Sequence, residues 1–234
     1  MGKLALVTGA AHRLGKSFAL TLARLGYDII LHYHSAEDEA RQTQAEIESL
    51  SRSATLAQAD LTQPAEIKSL LSHLESLDVL VNSAAFMPHG NTDSLSLENW
   101  DSSLDLNLRA PFLLGQACAQ KMTDGGLIVN ITDVGAQKTW SKYPSYTVSK
   151  AALESLTKIL ARALAPKIRV NAIAPGFVLQ SDIVPAEEWD RLIKRIPLKR
   201  PARPEEIASA LEFLIKNEYI TGQVIVVDGG YSLV

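Results

Sequence analysis

The sequence predicts an α/β fold in which a parallel β-sheet is covered by helices on both faces. Short apolar runs alternate with longer amphipathic stretches along the chain. The runs lack the strict apolar–polar alternation of a half-exposed strand, which indicates strands that are buried on both faces. Because crossovers between parallel strands are right-handed, we expect a doubly wound sheet with ligands at the carboxyl ends of its strands.

Seven apolar runs are predicted strands, at residues 4–7, 28–33, 54–58, 79–81, 127–131, 168–172 and 224–227. The stretches between them predict helices at residues 14–25, 37–50, 64–75, 105–121, 146–164 and 204–216. Two of these helices begin with a proline, Pro64 and Pro204, which is favoured at the first helical position because an amide there would be unpaired. Neither a low-complexity linker nor a repeat interrupts the pattern, so residues 1–234 are expected to form a single domain.

Residues 177–203 depart from this regular alternation. The segment is long, rich in proline and partly helical in pattern. Long connections in compact domains often carry function, for example as covers of a binding site. We therefore expect this insertion to cover the substrate.

Composition excludes several classes of function. The 234 residues, of which 47% are hydrophobic, suffice for one well-buried domain. The net charge is −3 and the basic residues are scattered, which argues against a nucleic-acid partner or a polybasic membrane patch. No apolar run is long enough to cross a bilayer, and the amino terminus lacks the layout of a signal peptide. The single cysteine, Cys118, precludes an internal disulfide, so we expect a cytoplasmic protein.

A glycine-rich turn follows the first predicted strand, with Gly9 and Gly15 separated by five residues. Gly9 permits a tight turn out of the strand, and Gly15 permits close packing of the next helix. The amides that open this helix would then face a phosphate or a pyrophosphate. Taken alone, the same spacing is also compatible with a plain strand–helix turn.

Tyr146 and Lys150 lie four residues apart on a predicted helix, which brings a phenol and an ammonium onto one face. Asp133, at the end of a predicted strand, is placed to join them. A phenol has an ordinary pKa of about 10, and a neighbouring positive charge lowers it towards a useful acidity. The three residues therefore predict a proton-delivery group, although an amphipathic helix with a snorkelling lysine gives the same spacing.

Seven segments in a fixed order carry a family resemblance: Thr8-Gly9 with Gly15, Asp60-Leu61, Val81-Asn82-Ser83-Ala84, Asn107, Tyr146 with Lys150, Asn171 with Pro175-Gly176, and Val227-Asp228-Gly229-Gly230. With them the chain resembles the short-chain dehydrogenase/reductase family over its whole length. The resemblance implies a doubly wound Rossmann fold with a mainly seven-stranded parallel sheet. It also implies an NAD(P)-dependent oxidoreductase that assembles as a homotetramer through the helices that start near Asp105 and Tyr146.

Within that family the chain is most similar to pteridine reductases. Those enzymes carry an arginine in the glycine-rich turn, His-Tyr-His at the end of the second strand, and aspartate in place of the catalytic serine. Arg13, His32-Tyr33-His34 and Asp133 match these features. The likeness implies NADPH-dependent reduction of a pterin or a related heterocycle.

The resemblance also assigns residues to roles. The implied catalytic residues are Asn107, which would hold a water that connects Lys150 to solvent, and Asp133, Tyr146 and Lys150. The implied cofactor-binding residues are Gly9, Arg13, Leu14, His34, Ser35, Asp60, Leu61, Asn82, Ala84, Tyr146, Lys150, Pro175, Gly176 and Val178. The implied substrate-binding residues are Arg13, Phe86, Asp133, Tyr143 and Tyr146, with Trp140 and Trp189 as further candidates for the pocket or its cover.

Asp133 bears on the choice of substrate. A serine would donate a hydrogen bond to a carbonyl oxygen, whereas an ionised aspartate only accepts. Its charge also raises the pKa of Tyr146. Asp133 therefore suits a substrate with N–H groups, or it acts protonated in a coupled system with Tyr146 and Lys150. In the alternative, Asp133 caps a turn and Thr132 supplies the hydroxyl.

The end of the second strand indicates the cofactor. NAD enzymes usually place an acidic residue there, and this chain has His34 and Ser35 instead. Together with Arg13 these side chains suit a 2′-phosphate, which favours NADP(H) over NAD(H). A His-x-His pair also invites a metal interpretation, but no third ligand follows at a convincing interval, so no metal is expected.

We therefore expect an NADPH-dependent reductase of a pterin-like heterocycle with Tyr146 as the proton donor. One alternative is a carbonyl reductase of the 3-oxoacyl thioester or sugar-ketone kind, which Tyr146 and Lys150 support equally well. A non-catalytic NADP(H)-binding sensor is an alternative of another class. Proteins of that kind usually lose the tyrosine or the lysine, and this chain keeps both.

Overall fold

A computed structural model describes residues 2–180 and 184–234 of the chain. Over these residues seven strands form one parallel sheet in the order β3-β2-β1-β4-β5-β6-β7. The strands are β1 Lys3–Val7, β2 Tyr27–Tyr33, β3 Ala54–Gln58, β4 Leu77–Asn82, β5 Met122–Ile131, β6 Ile168–Pro175 and β7 Val224–Val227. The predicted doubly wound fold is confirmed.

Helices connect successive strands. They are α1 Arg13–Arg24, α2 Glu37–Ser49, α3 Pro64–Leu70, α4 Leu97–Leu104, α5 Ala110–Ala119, α6 Gly135–Lys138, α7 Pro144–Leu164, α8 Ala186–Arg195 and α9 Pro204–Lys216. A π-helical turn, Asp105–Arg109, joins α4 to α5, and a 3-10 turn, Tyr231–Leu233, follows β7. Among the described residues, no helix combines the length and the apolar character that a membrane crossing requires.

Two hydrophobic cores cover the two faces of the sheet, as the uninterrupted apolar runs predicted. In β1, Ala5 and Val7 belong to the core beneath α1 and α9, whereas Leu6 belongs to the core beneath α5. All three side chains are fully buried. Burial of a side chain the size of Val7 or Leu6 contributes about 1.5–3 kcal/mol, so the central strands hold both layers of helices in place.

The strand order reverses next to β1, which pairs with β2 on one side and β4 on the other. Val7 lies opposite both Leu31 and Val81. After β1 the chain forms β2 and β3 on one side of β1, and it then crosses to β4 on the other side. The loops that follow β1 and β4 therefore diverge. This divergence opens a crevice at the carboxyl ends of the strands, where doubly wound folds bind ligands.

Several predicted boundaries are wrong. The helix that we expected at 105–121 is preceded by α4, whose start is capped by Ser96, with the amide of Asn99 donating to its hydroxyl. Because α4 has few apolar residues, its sequence carries little of the apolar periodicity that predicts a helix. The helix predicted at 64–75 ends at Leu70, and the strand predicted at 127–131 begins at Met122 beyond a bulge. The insertion contains α8, and residues 181–183 of that segment lie outside the described part of the chain.

Candidate active site

A cleft of about 860 Å³ lies at the carboxyl ends of the strands. Most of the residues that the resemblance assigned to a site line it: Gly9, Arg13, Leu14, His34, Ser35, Asp60, Leu61, Ala84, Phe86, Asp133, Tyr146, Lys150, Pro175, Gly176 and Val178. They come from the carboxyl ends of six of the seven strands and from the loops and helices that follow them. A single elongated ligand could therefore contact the glycine-rich turn at one end and Tyr146 at the other.

The glycine-rich turn has the shape of a phosphate cradle. Gly9 adopts a φ of +64°, and a β-carbon on it would lie 2.9 Å from the Cα of Ala84. A β-carbon on Gly15 would lie 2.0 Å from the carbonyl oxygen of Gly9, so only glycine permits this approach. Thr8 fixes the neighbouring strand end, because its hydroxyl accepts hydrogen bonds from the amides of Ser83 and Ala84. The turn therefore fits a dinucleotide pyrophosphate at the start of α1.

Arg13 reaches across the cleft. Its guanidinium donates to the carbonyl oxygen of Leu179 at 2.9 Å and to that of Gln180 at 3.4 Å. The side chain is exposed, as are those of His34 and Ser35 at the end of β2. All three residues line the cleft, and their polar side chains suit the 2′-phosphate of NADP(H) better than the ribose diol of NAD(H).

Asp133, Tyr146 and Lys150 lie together in the lining of the cleft. The hydroxyl of Tyr146 donates to Oδ2 of Asp133 at 2.8 Å. Oδ1 of the same carboxylate accepts the amide of Gly135 at 2.6 Å, and Lys150 donates to the carbonyl oxygen of Ile131 at 2.6 Å. Because Tyr146 and Lys150 are one turn apart on α7, both side chains are buried on one helix face beside the end of β5.

Burial dominates the electrostatics of this group. It raises the pKa of Asp133 to about 6, against the hydrogen bonds from Gly135 and Tyr146 and the charge of Lys150. It lowers the pKa of Lys150 to about 8, against the attraction of Asp133. The pKa of Tyr146 lies well above its ordinary value because of burial and the neighbouring Asp133. At Tyr146, burial and the carboxylate of Asp133 therefore outweigh the charge of Lys150, and a lowering of the phenol pKa that also needs the charge of an oxidised nicotinamide stays a prediction.

Two roles were left open for Asp133, as a partner of Tyr146 and as the cap of a turn, and its carboxylate fills both. One carboxylate oxygen caps the turn at Gly135, and the other accepts the phenol. Thr132 does not replace it, because the Thr132 hydroxyl donates to the carbonyl oxygen of Ile173 on β6. Asp133 is thus the group that contacts Tyr146.

Three assigned residues, Asn82, Asn107 and Tyr143, are missing from the described residues that line the cleft. The Asn82 side chain donates to Asn130 inside the sheet. Tyr143 packs edge-on against His89, with ring centroids 5.4 Å apart, and against Trp140, which lines the cleft, at 6.4 Å. The roles assigned to Asn82 and Tyr143 in binding the cofactor and the substrate stay predictions.

Asn107 lies in the π-helical turn and is fully buried. Its carbonyl oxygen accepts the amide of Phe86 at 2.8 Å, and its amide donates to Phe86 at 2.8 Å and to Ser149 at 3.0 Å. The side chain is therefore engaged with protein groups, and the water that connects Lys150 to solvent through Asn107 stays a prediction. Its contacts hold the backbone of Phe86 at the cleft wall.

An aromatic wall forms one side of the cleft, built from Trp140, Phe177, Trp189 and Tyr231. Phe177 stacks on Trp140 with ring centroids 6.0 Å apart, and it meets Trp189 at 5.6 Å and Tyr231 at 4.9 Å edge-on. Trp140, Phe177 and Trp189 line the cleft. The sequence named the two tryptophans as candidates for the pocket, and the structure adds the side chain of Phe177 to them.

The sheet topology and this cleft define an oxidoreductase that binds a dinucleotide at a switch point of the sheet. The profile of a family described as enoyl-(acyl carrier protein) reductase matches residues 9–232. A 3-oxoacyl-[acyl-carrier-protein] reductase, FabG, of Staphylococcus epidermidis is 36% identical, over 98% of this chain and 99% of that protein. The chain belongs to the short-chain dehydrogenase/reductase family, as the sequence motifs indicated.

Solved structures agree. The angucycline C-6 ketoreductase LanV with bound NADP superposes with a TM-score of 0.95, at 30% identity over 99% of this chain and 96% of that one. FolM alternative dihydrofolate reductase 1 of Brucella canis, complexed with NADP, has a TM-score of 0.92 at 34% identity, over 99% of this chain and 94% of that one. The NADP in both structures agrees with the cofactor expected from the sequence.

Proposed function

We propose that this protein is an NADPH-dependent carbonyl reductase that converts a ketone into a secondary alcohol. The contact between Tyr146 and Asp133 carries the proposal, because it places two oxygen-bound proton sites 2.8 Å apart at the cleft. Since burial raises the pKa of Asp133 to about 6, this carboxyl group holds a proton in a fraction of the molecules near neutral pH. A protonated Asp133 donates a hydrogen bond, as the substrate's carbonyl oxygen requires.

When bound, NADPH supplies the hydride that reduces the carbonyl carbon. Tyr146 gives its hydroxyl proton to the carbonyl oxygen, and Asp133, 2.8 Å from that hydroxyl, stabilises the developing negative charge when it is protonated. Lys150 lies with its ammonium 5.7 Å from the ring centroid of Tyr146, and its charge stabilises the phenolate that remains. The balance is one ketone, one NADPH and one proton converted to one alcohol and one NADP⁺.

The names of the relatives favour a ketone. FabG is named as a 3-oxoacyl-[acyl-carrier-protein] reductase, and LanV as a ketoreductase. The aromatic wall formed by Trp140, Phe177 and Trp189 further favours a ketone on a planar ring, which such side chains stack against. We propose that the described part of the insertion, with Trp189 on α8, covers this substrate.

Reduction of a dihydropterin is a second candidate, and Asp133 is the observation that favours it. An ionised carboxylate accepts hydrogen bonds from the amino group and ring N–H of such a heterocycle, and a ketone offers none. FolM, named as an alternative dihydrofolate reductase, is also among the similar structures. The two candidates thus differ in the protonation state of Asp133 that each requires.

A substrate comparison tests the proposal. NADPH oxidation would be followed with an acetoacetyl thioester, a bicyclic aromatic ketone, dihydrobiopterin and dihydrofolate, each at the same concentration. We expect the largest kcat/KM with one of the two ketones. Turnover of the pterins alone would favour dihydropterin reduction over carbonyl reduction. Turnover of none of the four compounds with NADPH would contradict both proposals.

We also propose a homotetramer. Phe112 on α5 and Val148 and Ile159 on α7 are apolar and exposed, with Ile159 64% exposed. Val148 and Ile159 are eleven residues apart, close to three full turns, so they share one face of α7. Ile159→Glu should shift the mass measured by light scattering from a tetramer to a smaller species, and an unchanged mass would argue against this surface.

A further inference from the structure

His32 connects the ends of three neighbouring strands beneath the cofactor end of the cleft. It is the penultimate residue of β2 and is 2% exposed. The amide of Gly9, just beyond β1, donates to its Nδ1 at 3.1 Å, and its Nε2 lies 3.0 Å from the carbonyl oxygen of Ala59, just beyond β3. One side chain therefore fixes the separation between two loops that line the cleft.

The contacts of His32 select one form of the imidazole. Because the amide of Gly9 can only donate, Nδ1 must carry no proton, and the proton of the neutral ring then lies on Nε2 and is donated to Ala59. If Nδ1 also carried a proton, its N–H would face the N–H of Gly9 and the hydrogen bond between them would be lost. Burial lowers the pKa of His32 to about 4, so the neutral form is kept at ordinary pH.

The glycine-rich turn is held from both sides. The amide of Ala10 donates to the carbonyl oxygen of His32 at 2.8 Å, so two successive turn amides bind the same residue of β2. On the β4 side, Gly9 meets Ala84 closely enough to exclude a β-carbon. With His32 in place, the turn has little freedom to move away from the end of β3.

We propose that His32 is a positioning residue for NADP(H), which sets the distance between the glycine-rich turn and the loop after β3. It acts through the backbone of Gly9 and Ala59. Loss of its hydrogen bonds lets the turn relax, and the binding of the cofactor must then restore the turn's position. The inference depends on NADP(H) as the cofactor and not on the identity of the substrate.

Three variants separate the two contacts. His32→Leu removes both hydrogen bonds. His32→Asn keeps an acceptor near the position of Nδ1, for Gly9, and His32→Gln keeps a donor near the position of Nε2, for Ala59. Calorimetric titration with NADPH, without substrate, should give a dissociation constant raised about tenfold in His32→Leu, as expected for one or two lost hydrogen bonds. His32→Asn should restore most of the affinity, and His32→Gln less.

Asn171 offers a matched control. It is fully buried, donates to the carbonyl oxygen of Ile220 at 2.9 Å and accepts the amide of Gln223 at 3.0 Å, between β6 and β7. Asn171→Leu therefore removes one donated and one accepted hydrogen bond away from the glycine-rich turn. It should lower the unfolding temperature of the cofactor-free protein as His32→Leu does, with the NADPH dissociation constant unchanged.

The comparison decides the inference. A dissociation constant that rises no more in His32→Leu than in Asn171→Leu would overturn it, because His32 would then serve stability alone. If His32→Leu does not fold, equal NADPH affinities for His32→Asn and His32→Gln would overturn it, and tighter binding by His32→Asn would support it. Failure of the wild-type protein to bind NADPH would remove both this inference and the proposed cofactor.

Discussion

The phenol of Tyr146 donates its proton to the carboxylate of Asp133 across 2.8 Å, inside a buried site. In this state the hydroxyl proton of Tyr146 points at the carboxylate and not at a substrate. Either Asp133 must take up a proton, or an incoming group must replace it as the acceptor. The protonation of one carboxyl group therefore controls the reactivity of the tyrosine.

Tyr146→Phe should abolish most of the turnover and leave the cofactor bound. Removal of a positioned proton donor typically costs about 10²–10⁴-fold in rate. The Tyr146 hydroxyl bonds to Asp133, so the glycine-rich turn at the other end of the cleft is not disturbed. Steady-state kinetics and NADPH titration measure the two effects. A loss of kcat below about tenfold would show that Tyr146 is not the proton donor.

Lys150→Met should change the pH dependence of stability. The folded-state pKa of Lys150 is lowered from 10.5 to about 8, so between these values the unfolded chain binds more protons than the folded one. The free energy of unfolding of the wild type should then rise with pH above about 8, by roughly 1 kcal/mol per pH unit. Urea unfolding in this range measures it. The same rise in Lys150→Met would refute the attribution to Lys150.

Arg13→Leu should reduce the preference for NADPH over NADH. A hydrogen bond from a charged donor contributes about 1.5–3 kcal/mol, so the NADPH dissociation constant should rise about ten- to a hundredfold. NADH lacks the 2′-phosphate and should bind with nearly unchanged affinity. Arg13 also holds Leu179 and Gln180, so an equal loss for both cofactors would assign it to the covering segment instead.

Asn107→Leu should destabilise the fold and widen the substrate site. The side chain satisfies both backbone groups of Phe86 and is fully buried, so its loss leaves polar groups unpaired at a cost of about 2–4 kcal/mol. Ser103→Ala, which removes the 3.2 Å bond from Asn107 and a weak 3.5 Å bond to the carbonyl oxygen of Phe86, is the milder control. Chemical denaturation measures the first effect and KM the second. An unchanged KM in Asn107→Leu would mean that Phe86 does not contact the substrate.

The sequence predicted the layered fold and the position of the cleft, because strand burial and the glycine spacing follow from local periodicity. It also predicted the contact between Asp133 and Tyr146, since Asp133 follows the end of a strand and Tyr146 lies near the start of a helix at the same edge of the sheet. It did not predict that Asn82 bonds to Asn130 inside the sheet, that Tyr143 packs against His89, or that His32 bridges two loops. Those features depend on side-chain directions and on contacts between distant segments, which periodicity does not encode.

The pH dependence of kcat/KM with a ketone and with a dihydropterin tests the proposed function most directly, because it reports the ionisation of the free enzyme. Asp133 titrates at a pKa of about 6. If the protonated carboxyl group assists carbonyl reduction, kcat/KM for the ketone should rise as the pH falls through about 6, and Asp133→Ser should abolish that rise. A fall in kcat/KM for the ketone over the same range, with dihydropterin as the better substrate above it, would contradict carbonyl reduction and support an ionised Asp133 that binds N–H groups.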